Sequence, residues 1–208
     1  MYYSKISMNL KSMLLTTGFV LSVVIGIAQP FWKSGIVADE FIAAKMPFPE
    51  SHAATIAETP EGLVVAWFGG TKERNPDVEV WMSKLSINGK WTAPISIANG
   101  IINDSLRYAC WNPVLYQVPQ GDLLLFYKVG PNVAEWKGWM KRSKDHGKTW
   151  SSAIALPADC LGPVKNKPVL LGNGILIAAS STEGSKGWNL HMEFSSDLGT
   201  TWTRGTDL

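Results

Sequence analysis

Three side chains carry most of this sequence's capacity for acid–base and anion chemistry: His52, Asp77 and Arg107. A neutral imidazole at position 52 can abstract a proton, and a protonated one can bind a carboxylate. Asp77 can serve as a general acid where burial raises its pKa. Arg107 offers planar, bidentate donors that match a carboxylate. Polar and aromatic candidates for substrate contact stand at Tyr108, Trp111, Asn112, Lys165, Asn166, Lys167, Glu183 and His191. Each has a plainer reading. Asp77 can cap the turn after Pro76, His52 can be a satisfied polar residue at a strand start, and Arg107 can sit in a surface salt bridge. Glu183 and His191 flank the Gly184–Gly187 stretch and either converge or are simply solvated. Lys165 and Lys167 alternate about a strand start, so only one of them can face inward.

The elements that must position these residues are written in a repeat. Ser143-Lys-Asp145-His-Gly147-Lys-Thr149-Trp150 and Ser195-Ser-Asp197-Leu-Gly199-Thr-Thr201-Trp202 share the pattern Ser-x-Asp-x-Gly-x-Thr-Trp. An Asp side chain can hold the backbone N–H groups of a tight turn, and the Gly can take positive φ. The Trp then opens the next strand as an apolar anchor. A degenerate third copy is expected at Ser83 to Trp91, where Ser83, Gly89 and Trp91 persist and the Asp is lost. Trp91, Trp150 and Trp202 recur at intervals of 59 and 52 residues. Each interval holds about four short apolar runs bounded by Gly, Pro and Asn, which favour strands. The expected fold is all-β: a β-propeller of four-stranded blades. About three blades are present, part of a six- or seven-bladed ring, because three cannot close. The expectation is therefore the N-terminal part of a longer protein or a truncated reading frame.

Residues 1–28 read as a secretory signal peptide, with Lys5 and Lys11 before an apolar stretch and Gly26-Ile-Ala28 at its end. A single membrane anchor is the alternative. Residues 29–208 form the expected propeller domain, in a secreted or periplasmic protein without membrane association once the signal is removed. The chain has 19 Lys+Arg and 17 Asp+Glu, and removing the two leader lysines leaves 17 of each. That balance argues against nucleic acid as a partner. Cys110 and Cys160 either form one disulfide or remain two buried thiols. No signature for a metal, nucleotide or flavin cofactor appears. Ten tryptophans in 208 residues is high. Trp67 and Trp81 suit the core, while Trp111, Trp136, Trp139 and Trp188 flank strand ends where an indole can stack on a sugar ring.

The octapeptide resembles the Asp box, or BNR repeat, of the sialidase (neuraminidase) superfamily. Arg107 with Asn112-Pro-Val114, and Leu161-Gly-Pro163 with Leu170-Leu-Gly-Asn-Gly174, are similar to the stretches that open that family's second and third blades. Asp77-Val-Glu79-Val-Trp-Met-Ser83 is similar to its acidic strand. The resemblance covers about residues 48–208. It implies that Ser143, Asp145, Gly147, Trp150, Ser195, Asp197, Gly199 and Trp202 are structural, on the rim and away from substrate. It makes Asp77 the match to the family's acid/base region. It also implies a three-arginine carboxylate site, yet the opening stretch Phe48-Pro-Glu-Ser-His52-Ala-Ala-Thr55 carries no Arg, and His52 stands in its place. The tyrosine nucleophile and the remaining arginines would lie beyond residue 208. Three functions are in competition. The first is a glycosidase removing terminal acidic sugars from glycans, as an exo-α-sialidase does. The second is a propeller polysaccharide lyase using His52, Arg107, Tyr108 and Lys165 on a uronate. The third is a non-catalytic sugar-binding propeller. All three take a glycan as partner.

Overall fold

The computed structural model describes residues 35–36, 38–43, 45–184 and 187–208. The expected signal segment 1–28 lies outside the described residues. The chain divides into two units, Met1–Phe41 and Ile42–Leu208, and the second carries the strands. Among the described residues there is no α-helix, and no helix is long and apolar enough to cross a membrane.

Three four-stranded antiparallel sheets follow one another in chain order. The first contains β1 (Glu50–Thr59), β2 (Gly62–Gly70), β3 (Glu79–Lys84) and β4 (Ile95–Ala98). A small hairpin, β5 (Ile101–Asn103) and β6 (Leu106–Arg107), leads to the second. That sheet contains β7 (Ala109–Gln117), β8 (Leu123–Gly130), β9 (Lys137–Ser143) and β10 (Ile154–Ala155). The third contains β11 (Val169–Leu170), β12 (Leu176–Gly184), β13 (Gly187–Ser195) and β14 (Thr203–Asp207). The four-stranded units expected from the apolar runs are present, each a meander of neighbouring strands.

The sheets are joined face to face through β8, every residue of which is buried. Its alternation splits one apolar run between two interfaces. Leu123, Leu125, Tyr127 and Val129 pack on Val64, Ala66, Val80 and Met82 of the first sheet. Leu124 and Phe126 pack on Leu176, Ala178 and Trp202 of the third. Full burial of each such side chain contributes about 1.5–3 kcal/mol, which makes these interfaces the main source of cohesion. Cys110 belongs to the first interface and Cys160 to the second. Both are free thiols, so the open question of a bridge resolves against it.

The two octapeptides fold alike. The Ser143 hydroxyl accepts from Gly147 N at 2.7 Å and donates to Asp145 Oδ1 at 2.8 Å, and Thr149 N donates to the same oxygen at 2.8 Å. Ser195, Gly199, Asp197 and Thr201 repeat these contacts at 2.7, 2.8 and 2.8 Å. Gly147 and Gly199 sit at φ 87° and 89°. A Cβ on Gly199 would come within 3.2 Å of Leu124 of the preceding sheet, so close approach adds to the conformational demand for glycine. Trp202 meets Phe126 edge-on at 5.5 Å, and Trp150 packs against the first interface. Each indole therefore pins its sheet to the one before.

The expected third copy of this turn is displaced. Ser143 pairs with Leu123 and Ser195 with Leu176 at the start of the second strand, whereas Ser83 pairs deeper, with Val65. The matching position in the first sheet is Leu85, whose N–H bonds Leu63 and which bridges to Trp91. Ser83 instead donates to Thr92 O at 2.7 Å. Gly89 (φ 75°) does keep the turn position, closed by Ser86 and Lys90.

Candidate functional site

The inner strands β1 and β7 break register at equivalent places. β1 slips between His52 and Thr55, and β7 between Trp111 and Val114. The extra residues, Ala53 and Asn112, take φ of 53° and 36°. Positive φ at a residue with a Cβ costs about 1–3 kcal/mol, and bulges of this kind re-aim side chains beside functional sites. Just past the bulges the equivalent carbonyls of Ile56 and Leu115 converge on one cation. Lys167 Nζ donates to Ile56 O, to Leu115 O at 2.7 Å and to Thr55 Oγ1 at 3.4 Å. Thr55 Oγ1 also accepts from Leu115 N at 3.2 Å. Burial pushes the Lys167 pKa down. Of the two lysines that alternate here, Lys167 is the one bonded to the inner strands, although Lys165, Asn166 and Lys167 are all exposed to solvent.

An apolar floor supports this end of the sheets. Phe68, Val78, Ala109, Trp111, Trp136, Leu161 and Val164 form it, with Ala53 and Val133 against it. The His52 ring lies parallel to Phe68 at 5.5 Å and is exposed above it. His52, Ser51, Met46 and Trp67 border a cavity of about 230 Å³, and Trp67 Nε1 is buried with no hydrogen-bond partner. The expectation that Trp111 and Trp136 are sugar platforms is corrected. Trp111 is 3 % exposed, donates to Gly130 O at 2.9 Å and meets Trp136 edge-on at 5.9 Å. These indoles hold the loops together because the strand ends need a core of their own. Trp139 is half-buried between the first two sheets, and Trp188 is 74 % exposed.

The charged candidates are engaged locally. Asp77 accepts from Thr71 N and Thr71 Oγ1, both at 2.9 Å, so its carboxylate clasps the β2–β3 loop. Glu50 accepts from Glu73 N at 2.7 Å and ties that loop to β1. Arg107 Nη2 pairs with Glu79 at 2.6 Å, which is the salt-bridge alternative. Tyr108 packs partly buried against the first interface, and its N–H donates to Gly100 O. Asn112, at its bulge, is half-buried.

His191 and Glu183 do not converge. His191 pairs with Ser180 and Glu183 with Trp188, three positions apart, so alternation puts them on opposite faces. Glu183 accepts from Ser181 Oγ at 3.2 Å, and His191 is 1 % exposed between the second and third sheets. Its expected contact with substrate is therefore corrected.

Two buried charges escape the sequence reading. Glu193 accepts from Leu161 N at 2.8 Å and Gly162 N at 2.6 Å, and its Oε1 lies 3.0 Å from His191 Nε2. Lys128 donates to Pro163 O, and burial, opposed by the charge of Glu193, lowers its pKa to about 7. Together they fasten Leu161–Pro163, the segment that delivers Lys167 to the inner strands. The available signals are the one charge in the apolar run of β8 and the His-x-Glu alternation of β13. Among the described residues no cluster of His, Cys, Asp and Glu could hold a metal ion.

A family model described as BNR repeat-like domain matches residues 61–207. No curated protein matches the sequence. Among solved structures, the Hadza microbial sialidase Hz136 is similar at 14 % identity with a TM-score of 0.63, covering 76 % of this chain and 37 % of that one. The α-L-arabinanase of Penicillium chrysogenum is similar at 23 % identity and 0.52, covering 76 % and 48 %. Trypanosoma rangeli sialidase is similar at 15 % identity and 0.50, covering 76 % and 31 %. The chain thus spans less than half the length of each, and at these identities the likeness is one of fold.

Proposed function

The chain belongs to the BNR repeat-like domain family, and from that premise we propose that it forms part of a β-propeller glycosidase of the sialidase superfamily that removes terminal acidic sugars from glycans. The observation that carries this is the pair of equivalent bulges, at Ala53 and Asn112, beside the apolar floor on which His52 stacks, with Lys167 bonded to the carbonyls just past them. Strained backbone and an exposed imidazole at one end of the inner strands suit an anionic saccharide, with Lys167, whose three N–H groups are already engaged, adding its charge from nearby. Further sheets complete the ring. Val169, Trp188 and Leu190 lie 59, 74 and 58 % exposed on the outer face of the third sheet, an apolar face that another sheet would cover. The longer neighbouring structures agree with this, and export through the segment 1–28 belongs to the same proposal. Hydrolysis of a fluorogenic sialoside by the full-length protein tests it; no turnover on any acidic glycoside would overturn it.

A second reading is favoured by one observation. Arg107 is paired with Glu79 and Asp77 with Thr71, while His52 is exposed and lacks a carboxylate partner among its contacts. A lyase acting on a uronate uses a histidine in that condition as base. It would yield a product with the ultraviolet absorbance of an unsaturated uronate, which hydrolysis does not make. For the lyase, His52→Ala abolishes turnover. Binding without turnover of either kind identifies the third alternative, a sugar-binding propeller.

A further inference from the structure

A cavity of about 300 Å³ lies between the first and second sheets on the side of their outer strands, away from the bulges. None of the residues at the inner-strand site lines it. Tyr127 of β8 and Trp139 and Lys141 of β9 form its second-sheet wall, and Ser96 and Asn99, on and just after β4, form much of the other. Tyr127, Trp139 and Lys141 share the inward face of the second sheet by alternation, so the strand register itself gathers them. Lys141 is the one charged residue in the lining. Its Nζ donates to Ile97 O at 2.6 Å, which uses one of three N–H groups and leaves two for a guest. Burial raises the Tyr127 pKa, so its phenol stays protonated and can donate. Ile101 and Ile102, 56 and 45 % exposed on the β5 hairpin, stand at the lining beside it.

We propose that this cavity is a second saccharide site, taking one carboxylate-bearing sugar unit, with Lys141 on the carboxylate and the Trp139 indole beside the ring. An ammonium, a phenol, an amide and an indole around a space of monosaccharide size match the mixed polar and C–H surface of such a sugar. A neutral sugar leaves the half-buried amine without its counter-charge and binds less well. The site is independent of turnover at the inner strands. It would hold a glycan chain on the protein's flank while another unit is processed.

The test is isothermal titration of the full chain with glucuronate and, separately, with glucose. The expected result is binding of glucuronate about tenfold stronger than of glucose. Lys141→Gln removes that preference, and Ala153→Leu, a change at an exposed position that lines the cavity, blocks both sugars. Because position 153 is exposed, this second variant does not depend on tolerance of a core substitution. His52→Ala leaves the Lys141-dependent part of this binding unchanged, which separates it from the inner-strand site. Absence of glucuronate binding, equal binding of the two sugars, or binding untouched by both Lys141→Gln and Ala153→Leu would overturn the proposal.

Discussion

Replacing Glu193 with Gln tests how the third sheet is locked to the second. In the native fold the carboxylate accepts two backbone N–H groups, at 2.8 and 2.6 Å, in a site with no solvent exposure. A glutamine offers one oxygen and one NH₂ to those donors, so one bond is lost and a donor faces a donor. Hydrogen bonds to a charged group are each worth about 1.5–3 kcal/mol, and a buried unsatisfied group costs a further ~1–3 kcal/mol. The substitution also strips Lys128 of its opposing charge. Breaking a buried pair from one side costs about 3–5 kcal/mol, in line with the sum. For a domain of this size that lowers Tm by roughly 10 °C. Thermal melts of wild type, Glu193→Gln, Lys128→Met and the double variant close the cycle. The double variant is expected to lose less than the two singles together, by about 1–3 kcal/mol, because neither charge is left alone. A Glu193→Gln variant within about 1 kcal/mol of wild type, or strict additivity, would refute the lock.

Lys128 also sets a pH dependence. Its pKa falls from the ordinary lysine value to about 7 because burial disfavours the ammonium. The folded state therefore binds the proton less well than the unfolded chain, and the cost is full below about 7 and fades as pH rises toward about 10. Urea titrations should show the stability of Lys128→Met relative to wild type highest at about pH 6 and falling toward about pH 9; a relative stability that rises with pH contradicts the assignment. Asp197 is expected to act in the opposite direction. Burial opposes ionisation there, but the Thr201 N–H and hydroxyl and the Ser195 hydroxyl outweigh it and hold the pKa at about 2. Its stabilisation is present above the ordinary carboxylate range, about 4, and is lost as pH falls through about 2. Asp197→Asn should match wild type in saccharide affinity and differ from it in urea midpoint chiefly above about pH 4; a change in affinity with normal stability would overturn the structural role. Lastly, both thiols should resist a thiol reagent in the native protein and react after unfolding, since burial pushes Cys160 to about 12 and Cys110 higher still. Rapid labelling of either in the native state would place it outside the core.

Much of this fold is written in the chain because its signals are local. The turn of Ser143 to Trp150 needs only contacts within eight residues, so its Asp, Gly and Thr can be assigned from the pattern alone. The displaced turn of the first sheet defeats the same reasoning for the converse reason. Ser83 sits two residues deeper, opposite Val65, and that β2–β3 pairing is a contact between strands that the pattern alone does not locate. The site is less legible. Trp111 flanks a strand end in sequence, yet Phe68 and Trp136, distant in the chain, close over it. His191 looks like a loop neighbour of Glu183, and strand parity separates them. Lys128 and Glu193 carry no local sign of partnership, because their shared segment at Leu161–Pro163 is brought in by sheet stacking. Alternation narrows the inward lysine to one of two, and only the convergence of Ile56 and Leu115 on Lys167 chooses between them.

Saccharide docking at the bulged ends of β1 and β7 is the central claim. Hydrogen exchange of the full chain with and without an acidic oligosaccharide tests it most directly. Slowed exchange is expected around Ser51–Thr55, at Asn112 and Val114, and along 165–167, with the Asp145 and Asp197 turns unchanged. Protection confined to those turns, or none at the inner-strand ends while the sugar is bound, would contradict it.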